Sequence, residues 1–174
     1  YPCKFENEFI PKLEDLEKLV DDNTVAILYN FPSNPTGGTL NHAQRDELLD
    51  FAIKNDLWII SDEVYDRIVF EGAHVSFMGV DYNKVIIVNS FSKTFAMTGW
   101  RIGYIISSNL EAMSQITKMQ YYITACSNDA MQYAVLAAME EASDYPDIIA
   151  KEFKDRCDLM VDRLNQMPGV ECHK

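Results

Sequence analysis

Nowhere does the sequence carry an apolar run approaching the ~18 residues needed to cross a bilayer, and no charged-then-apolar signal segment opens it. A membrane partner is therefore not expected. Basic residues are also scarce: 15 Lys and Arg stand against 27 Asp and Glu, for a formal net charge of −12. Nucleic acid and anionic lipid both demand a basic face that releases counterions, so neither is expected as the main partner; a small local anion pocket stays compatible. The four cysteines, Cys3, Cys126, Cys157 and Cys172, form no C-x-x-C pair and have no histidine at zinc spacing. That pattern argues against a metal site or a disulfide framework and for reduced thiols in a cytoplasmic protein. The three histidines, His42, His74 and His173, are scattered, and each reads as a solvated or capping side chain. Repeats, low-complexity tracts and Ser/Gly linkers are lacking, so no internal domain boundary is expected.

What is present is one domain's worth of chain. The 174 residues are 48% hydrophobic and 24% charged, enough to bury roughly 70% of the extended surface in a single core. The chain begins at Tyr1 without an initiator methionine and stops at His173-Lys174, just past a Pro168-Gly169 turn. We expect a piece of a longer protein.

Apolar runs of strand length alternate with segments of helical period. TVAILYN (24–30) reads as a buried strand, PSNPTGG (32–38) as a turn cluster, and TLNHAQRDELLDFAIKND (39–56) as a helix. Thr39 is the expected N-cap, with Leu48, Leu49, Phe51, Ala52 and Ile53 as the apolar face. LWIIS (57–61), KVIIVNS (84–90) and RIGYIIS (101–107) read as three further strands. Helical stretches follow at about 109–141, interrupted near Thr124 to Asn128, and at about 146–166. Strands apolar on both faces, alternating with helices, imply an α/β domain with a mostly parallel sheet.

In such sheets ligands bind beyond the carboxyl ends of the strands. That rule selects Ser33 to Gly38, Asp62 to Tyr65, and Ser90 to Lys93, all facing one crevice. A lysine at a strand end can form a Schiff base with a carbonyl when its surroundings depress its pKa. Taken alone, Lys93 reads more readily as a surface lysine packing its stem on Phe91 or Phe95. Its neighbours sharpen the reading. Ser90, Ser92 and Arg101 offer two hydroxyls and a guanidinium, the donors a bound phosphate requires. Asp62 ends an apolar strand, where a carboxylate is costly unless a cation lies opposite; a protonated pyridine nitrogen would serve. Tyr65 and Asn34 can each hydrogen-bond a phenolic oxygen. Aldehyde, ring nitrogen, ring oxygen and phosphate together describe pyridoxal phosphate.

These segments also resemble a known family. SNPTGG (33–38), SDEVY (61–65) and SFSKTFAMTGWRIGY (90–104) look like three motifs of the fold type I, class I and II aminotransferases, in order and at about the usual separations. KMQYYITACSNDAMQYAV (118–135) extends the likeness over nearly the whole chain. The resemblance implies a three-layer α/β sandwich: the central part of the pyridoxal-phosphate-binding large domain over 1–174, truncated at both ends, with the N-terminal segment and C-terminal small domain outside it. It implies a homodimer that moves an amino group from an amino acid to a 2-oxo acid. Lys93 would bond the cofactor as a Schiff base and shuttle the substrate's proton, Asp62 would keep the ring nitrogen protonated, and Tyr65 and Asn34 would hold the ring oxygen. Ser90, Ser92 and Arg101 would grip the phosphate. Pro35 and Gly37 would shape the turn carrying Asn34, and Gly99 would bend the chain between Lys93 and Arg101.

Other readings compete. Ser90-Phe91-Ser92-Lys93 matches S-x-x-K of penicillin-binding acyl transferases, with Ser127-Asn128-Asp129 as a superficial S-D-N partner. Its letters are in the wrong order, no K-T-G follows, and that lysine should sit one turn into a helix rather than at a strand end. LWIISDE (57–63) suits an NTPase magnesium site, yet G-x-x-x-x-G-K-[ST] is lacking. The Met and Tyr residues of 113–133 read as core or dimer contacts, and Glu140, Glu141 and Asp144 as a solvated face. A lyase using the same cofactor for β- or γ-elimination, and a non-catalytic binding module on the same fold, stay open as alternatives.

Overall fold

Four of the apolar runs meet in one sheet. In the computed structural model, which describes Tyr1 and residues 4–173 and so leaves Cys3 outside the described residues, the strands are β1 (Ala26–Asn30), β2 (Trp58–Asp62), β3 (Val85–Ser90) and β4 (Gly103–Ile106). They lie in the order β1-β2-β3-β4, with β1, β2 and β3 parallel and β4 returning antiparallel to β3. Helices α1 (Leu13–Glu17), α2 (His42–Lys54), α3 (Phe91–Thr94), α4 (Leu110–Thr124), α5 (Asp129–Glu141) and α6 (Tyr145–Asn165) complete the described regular structure, with short 3-10 turns at Phe5–Asn7 and Thr98–Trp100. The α/β class and the mostly parallel sheet are those expected. No helix of the described residues is long and apolar enough to cross a membrane.

Strand alternation decides which side chains share a face. Tyr29, Ile59, Val85 and Ile87 project to one side, where α2 lays Leu48, Phe51 and Ala52 over them, and Phe31, Leu40, Leu57 and Phe77 close the cluster. Each large apolar side chain buried there contributes about 1.5–3 kcal/mol of transfer free energy. Ile53 stays exposed, so the buried stripe of α2 is narrower than its sequence suggests. On the opposite sheet face Leu28 is 76% exposed.

Capping corrects one expectation. The N-cap of α2 is Asn41 rather than Thr39: its side chain accepts from the Gln44 amide at 2.9 Å, and the Gln44 side chain accepts from the Asn41 amide at 2.9 Å. This reciprocal pair satisfies two amides that the helix start leaves without partners. The interruption expected near 124–128 is real. Ala125, at φ 61°, ends α4, and the Asn128 side chain caps α5 through the Met131 amide. Glu140, Glu141 and Asp144 are solvated as expected. Tyr122 and Tyr133 are each 75% exposed, and Met119 and Tyr121 are exposed as well, so these aromatic and Met residues are not core within this chain.

The β3–β4 pair has no room for a side chain at Gly103. A Cβ there would lie 2.7 Å from the Asn89 carbonyl oxygen and 3.2 Å from Ser90 Cβ. Gly103→Ala should push β4 away from β3 and destabilise the protein by about 1–3 kcal/mol, read from urea denaturation midpoints; an unchanged midpoint would contradict this packing.

Candidate active site

The parallel register brings Asn30 beside Asp62 and Asp62 beside Val88, so the three strands end along one edge. Asn30 organises that edge. Its side-chain amide donates to the Asp62 carbonyl at 3.2 Å, while its Oδ1 accepts from the Asn34 amide at 3.1 Å. The turn carrying Asn34 closes on itself: the Ser33 amide donates to the Gly38 carbonyl and the Gly37 amide to the Ser33 carbonyl, each at 2.9 Å. Gly37 holds φ 74°, which glycine adopts without steric cost. From this turn Asn34 Nδ2 donates to the Tyr65 hydroxyl at 3.1 Å. Lys93 Nζ lies 5.7 Å from the centre of the Tyr65 ring, within cation–π range. Asp62 Oδ1 accepts from the Val64 amide at 3.2 Å, which turns the chain sharply after β2.

Lys93 does not stand at the strand end itself. β3 closes at Ser90, and Lys93 is the third residue of α3, one turn of helix further on. One ground for setting aside the S-x-x-K reading therefore lapses, although the letter order of Ser127-Asn128-Asp129 and the lack of K-T-G stand. Ser90 caps that turn, its Oγ accepting from the Ser92 amide at 3.3 Å, and its own amide donates to Asn89 Oδ1 at 2.7 Å. Arg101 returns to the same place just before β4. A cavity of about 530 Å³ is lined there by Ser90, Ser92 and Arg101 together with Met113, Gln120 and Ser127. The bend between Lys93 and Arg101 is not made by Gly99, which sits within a 3-10 turn; left-handed backbone falls instead at Ala96 (φ 53°) and Arg101 (φ 56°). The Arg101 guanidinium donates to the Thr98 carbonyl at 2.9 Å.

The donor set suits pyridoxal phosphate. Two hydroxyls and a guanidinium share one cavity, as a phosphate needs. Among the described residues, Lys93, Asp62 and Arg101 take part in no ion pair with other protein side chains. An amine, a carboxylate and a guanidinium are thus uncommitted, and the lining of that cavity includes Arg101 but not Lys93, Asp62, Tyr65 or Asn34.

Sequence reasoning passed over Glu63. It is only 3% exposed, yet four donors converge on its carboxylate: the Ser61 hydroxyl at 2.9 Å and the Phe77 amide at 3.1 Å on Oε1, the Ser76 hydroxyl at 2.7 Å and His74 Nε2 at 2.8 Å on Oε2. Burial alone would raise its pKa, but the hydrogen bonds from His74, Ser76 and Phe77 prevail and hold the carboxyl below the ordinary value. Because the carboxylate is ionised, His74 Nε2 carries the proton and donates. His74, 13% exposed in its side chain, is thus a half-buried partner of Glu63 rather than a solvated or capping residue. The cost argument applied to Asp62 at the end of an apolar strand applies equally to Glu63, and that was the available signal. Asp66 differs. Burial raises its pKa despite a hydrogen bond from Asn89, and its Oδ1 is buried without a hydrogen-bond partner among the described residues.

The sequence model of the family described as "Aminotransferase class I and II" matches residues 1–174. The chain belongs to this family. Among its aminotransferase relatives, the aspartate aminotransferase of Thermotoga maritima is 39% identical over 165 residues, covering 94% of this chain and 42% of that protein. The aromatic-amino-acid aminotransferase 2 of Thermococcus litoralis is 36% identical over 171 residues, covering 95% and 44%. The crystal structure of the aromatic aminotransferase from Pyrococcus horikoshii superposes with a TM-score of 0.90 at 36% identity, covering 96% of this chain and 46% of that one. The chain spans under half the length of these aminotransferases.

Because the folded pKa of Glu63 lies below its ordinary value, its contribution to stability is complete above the ordinary carboxyl range, near pH ~4.3, and is lost as pH falls through the folded value. The stability gap between wild type and Glu63→Gln should be constant from neutral pH to about pH 5 and then narrow with further acidification. Thermal midpoints measured across that range on the intact protein check this, and a gap that widens in acid would contradict it.

Proposed function

We propose that this chain is the central part of the large domain of a pyridoxal-phosphate-dependent aminotransferase, and that the intact protein transfers an amino group from an amino acid to a 2-oxo acid. The observation that supports the reading is the contact of Lys93 with the Tyr65 ring and of Asn34 with the Tyr65 hydroxyl, three residues after Asp62 ends β2. Membership in a family whose relatives are named for aspartate and aromatic amino acids adds support and leaves the donor at the level of amino acids as a class.

When bound, the cofactor supplies a ring that accepts the electron pair released at the substrate's α-carbon. The rest falls to residues of this chain. Lys93 would be the amine that holds the cofactor aldehyde and the base that would take the proton from the substrate's α-carbon. Asp62 holds a proton on the ring nitrogen, Tyr65 and Asn34 steady the ring oxygen, and Ser90, Ser92 and Arg101 anchor the phosphate. A cytoplasmic homodimer completes the proposal. The free thiols of Cys126, Cys157 and Cys172 suit a reducing compartment, and the exposed apolar side chains of α4 to α6, Tyr122, Tyr133 and Leu159 among them, suit a protein interface.

Borohydride reduction of the intact protein after incubation with pyridoxal phosphate, followed by peptide mapping, should find one phosphopyridoxyl group, on Lys93. Scattered labelling that spares Lys93 would overturn the reading. Lys93→Ala should abolish the label and turnover, and Asp62→Ala should lower kcat by about 10²-fold or more. Arg101→Ala should weaken cofactor retention by roughly 10- to 100-fold while slowing saturated turnover far less. Product analysis separates the outcomes: a new amino acid formed from the 2-oxo acid supports transamination, whereas a 2-oxo acid with ammonia released supports elimination.

A further inference from the structure

Glu63 adjoins Asp62 and lies two residues before Tyr65, yet its carboxylate points into the protein, away from the crevice. Its four donors come from two places. Ser61 belongs to β2; His74, Ser76 and Phe77 belong to a segment more than ten residues further along the chain. That segment is itself tied to α2, since Arg45 Nη1 donates to the Ser76 carbonyl at 2.6 Å. The backbone of Glu63 is held as well: its amide donates to the Val88 carbonyl at 2.9 Å, and its carbonyl accepts from the Asp66 amide at 3.0 Å. A residue so secured leaves the turn from Asp62 to Asp66 little freedom to rotate or slide.

Core packing alone does not call for this arrangement. An apolar side chain would fill the space without taking a charge out of water, and a buried ionised carboxylate is tolerated only because every donor is in place. What the carboxylate adds is direction. It joins the turn after β2 to the 74–77 segment at three separate points, through His74, Ser76 and Phe77, with Ser61 of β2 as the fourth donor, and removing them would let the turn pivot.

We propose that Glu63 is a positioning residue of the site, which fixes the 61–66 turn and thereby sets where the Asp62 carboxylate and the Tyr65 hydroxyl face Lys93 and Asn34. The inference rests on the proposed function. Its physical basis is that a displacement of about 1 Å in a supporting element can cost up to 10²-fold in rate while leaving the fold intact.

The test compares wild type, Glu63→Ala and Glu63→Gln of the intact protein with two readouts that mere stability would not move. First, hydrogen exchange without added cofactor: in Glu63→Ala, peptide 61–67 should exchange at least about tenfold faster while peptide 24–30 of β1 stays within about twofold. Second, the pH titration of the visible absorption of protein loaded with pyridoxal phosphate: its midpoint should move by about half a pH unit or more, with kcat down about tenfold and KM changed less than about threefold. Glu63→Gln, which keeps one acceptor oxygen, should fall between the two in both readouts.

A lowered melting temperature with unchanged exchange in 61–67, midpoint and kcat would overturn the proposal and leave Glu63 a purely structural residue. Should Glu63→Ala fail to fold, Ser76→Ala, which removes one donor of four, carries the same test with smaller shifts. Borohydride mapping of the wild type separates the two levels of argument. Without a label on Lys93 the proposed function fails and this inference falls with it; a label on Lys93 with unmoved readouts refutes the role of Glu63 alone.

Discussion

Parallel pairing in which Asn30, Asp62 and Val88 stand side by side is the constraint on which the rest of the molecule depends. Parallel strands that end level with one another deliver their following turns to the same edge, and a βαβ connection leaves that edge free of its own return path. The turn after β1 brings Asn34, the end of β2 brings Asp62 and the turn after it Tyr65, and α3 after β3 brings Lys93. β4 then runs back antiparallel, and its pairing of Gly103 with Ser90 places Arg101 beside the Ser90 cap. A slip of one residue in any pair would exchange the faces of the strand and dismantle core and site together.

The same alternation divides labour between neighbouring residues. In β2 and the turn that follows, Ser61 and Glu63 turn inward to a saturated, buried hydrogen-bond cluster, while Asp62 is left part-exposed on the other side. One carboxylate is held ionised by protein donors; the other is held by a single backbone amide and has capacity to spare. Asp66, three residues beyond Glu63, shows what burial does without such a set of donors, for its carboxyl is pushed toward the neutral form. Three acids within five residues thus meet three different environments, and the second of them ties the backbone that carries the others to the 74–77 segment.

Much of this was legible in the sequence. Continuous apolar runs bounded by turn residues located all four strands, but the burial on both faces expected from them does not hold within this chain, where Leu28 is 76% exposed and β4 is exposed throughout. The ends of the first three runs pointed to Asn34, Asp62, Tyr65, Ser90, Ser92 and Lys93 as candidates, and the start of the fourth to Arg101. The parts that were not legible have specific causes. α3 is four residues long, too short to show a helical period, so Lys93 read as a strand-end residue. Thr39 and Asn41 both have capping chemistry, and the choice between them turned on the reciprocal Gln44 bond. Left-handed backbone at Ala96 and Arg101 leaves no trace in residue type, whereas Gly99 invited the wrong inference. The Glu63 cluster joins residues 11 to 14 positions apart with no periodic pattern between them, so only the fold brings His74, Ser76 and Phe77 to it.

Phe77 links that polar cluster to the apolar core. Its side chain is 1% exposed and meets the Tyr29 ring edge-on at 5.4 Å between centroids, while its amide donates to Glu63 at 3.1 Å. Tyr29 in turn stacks on Phe31 at 4.7 Å, immediately before the turn that holds Asn34. The core between the sheet and α2 therefore touches both turns that converge on Lys93, one through Phe31 and the other through Phe77 and Glu63. Close-packed interiors transmit displacement rather than absorb it. A change of shape at Tyr29 or Phe77 should consequently reach Asn34 and Tyr65 together and preserve their mutual contact better than their distance from Lys93, which approaches from β3 through a separate turn.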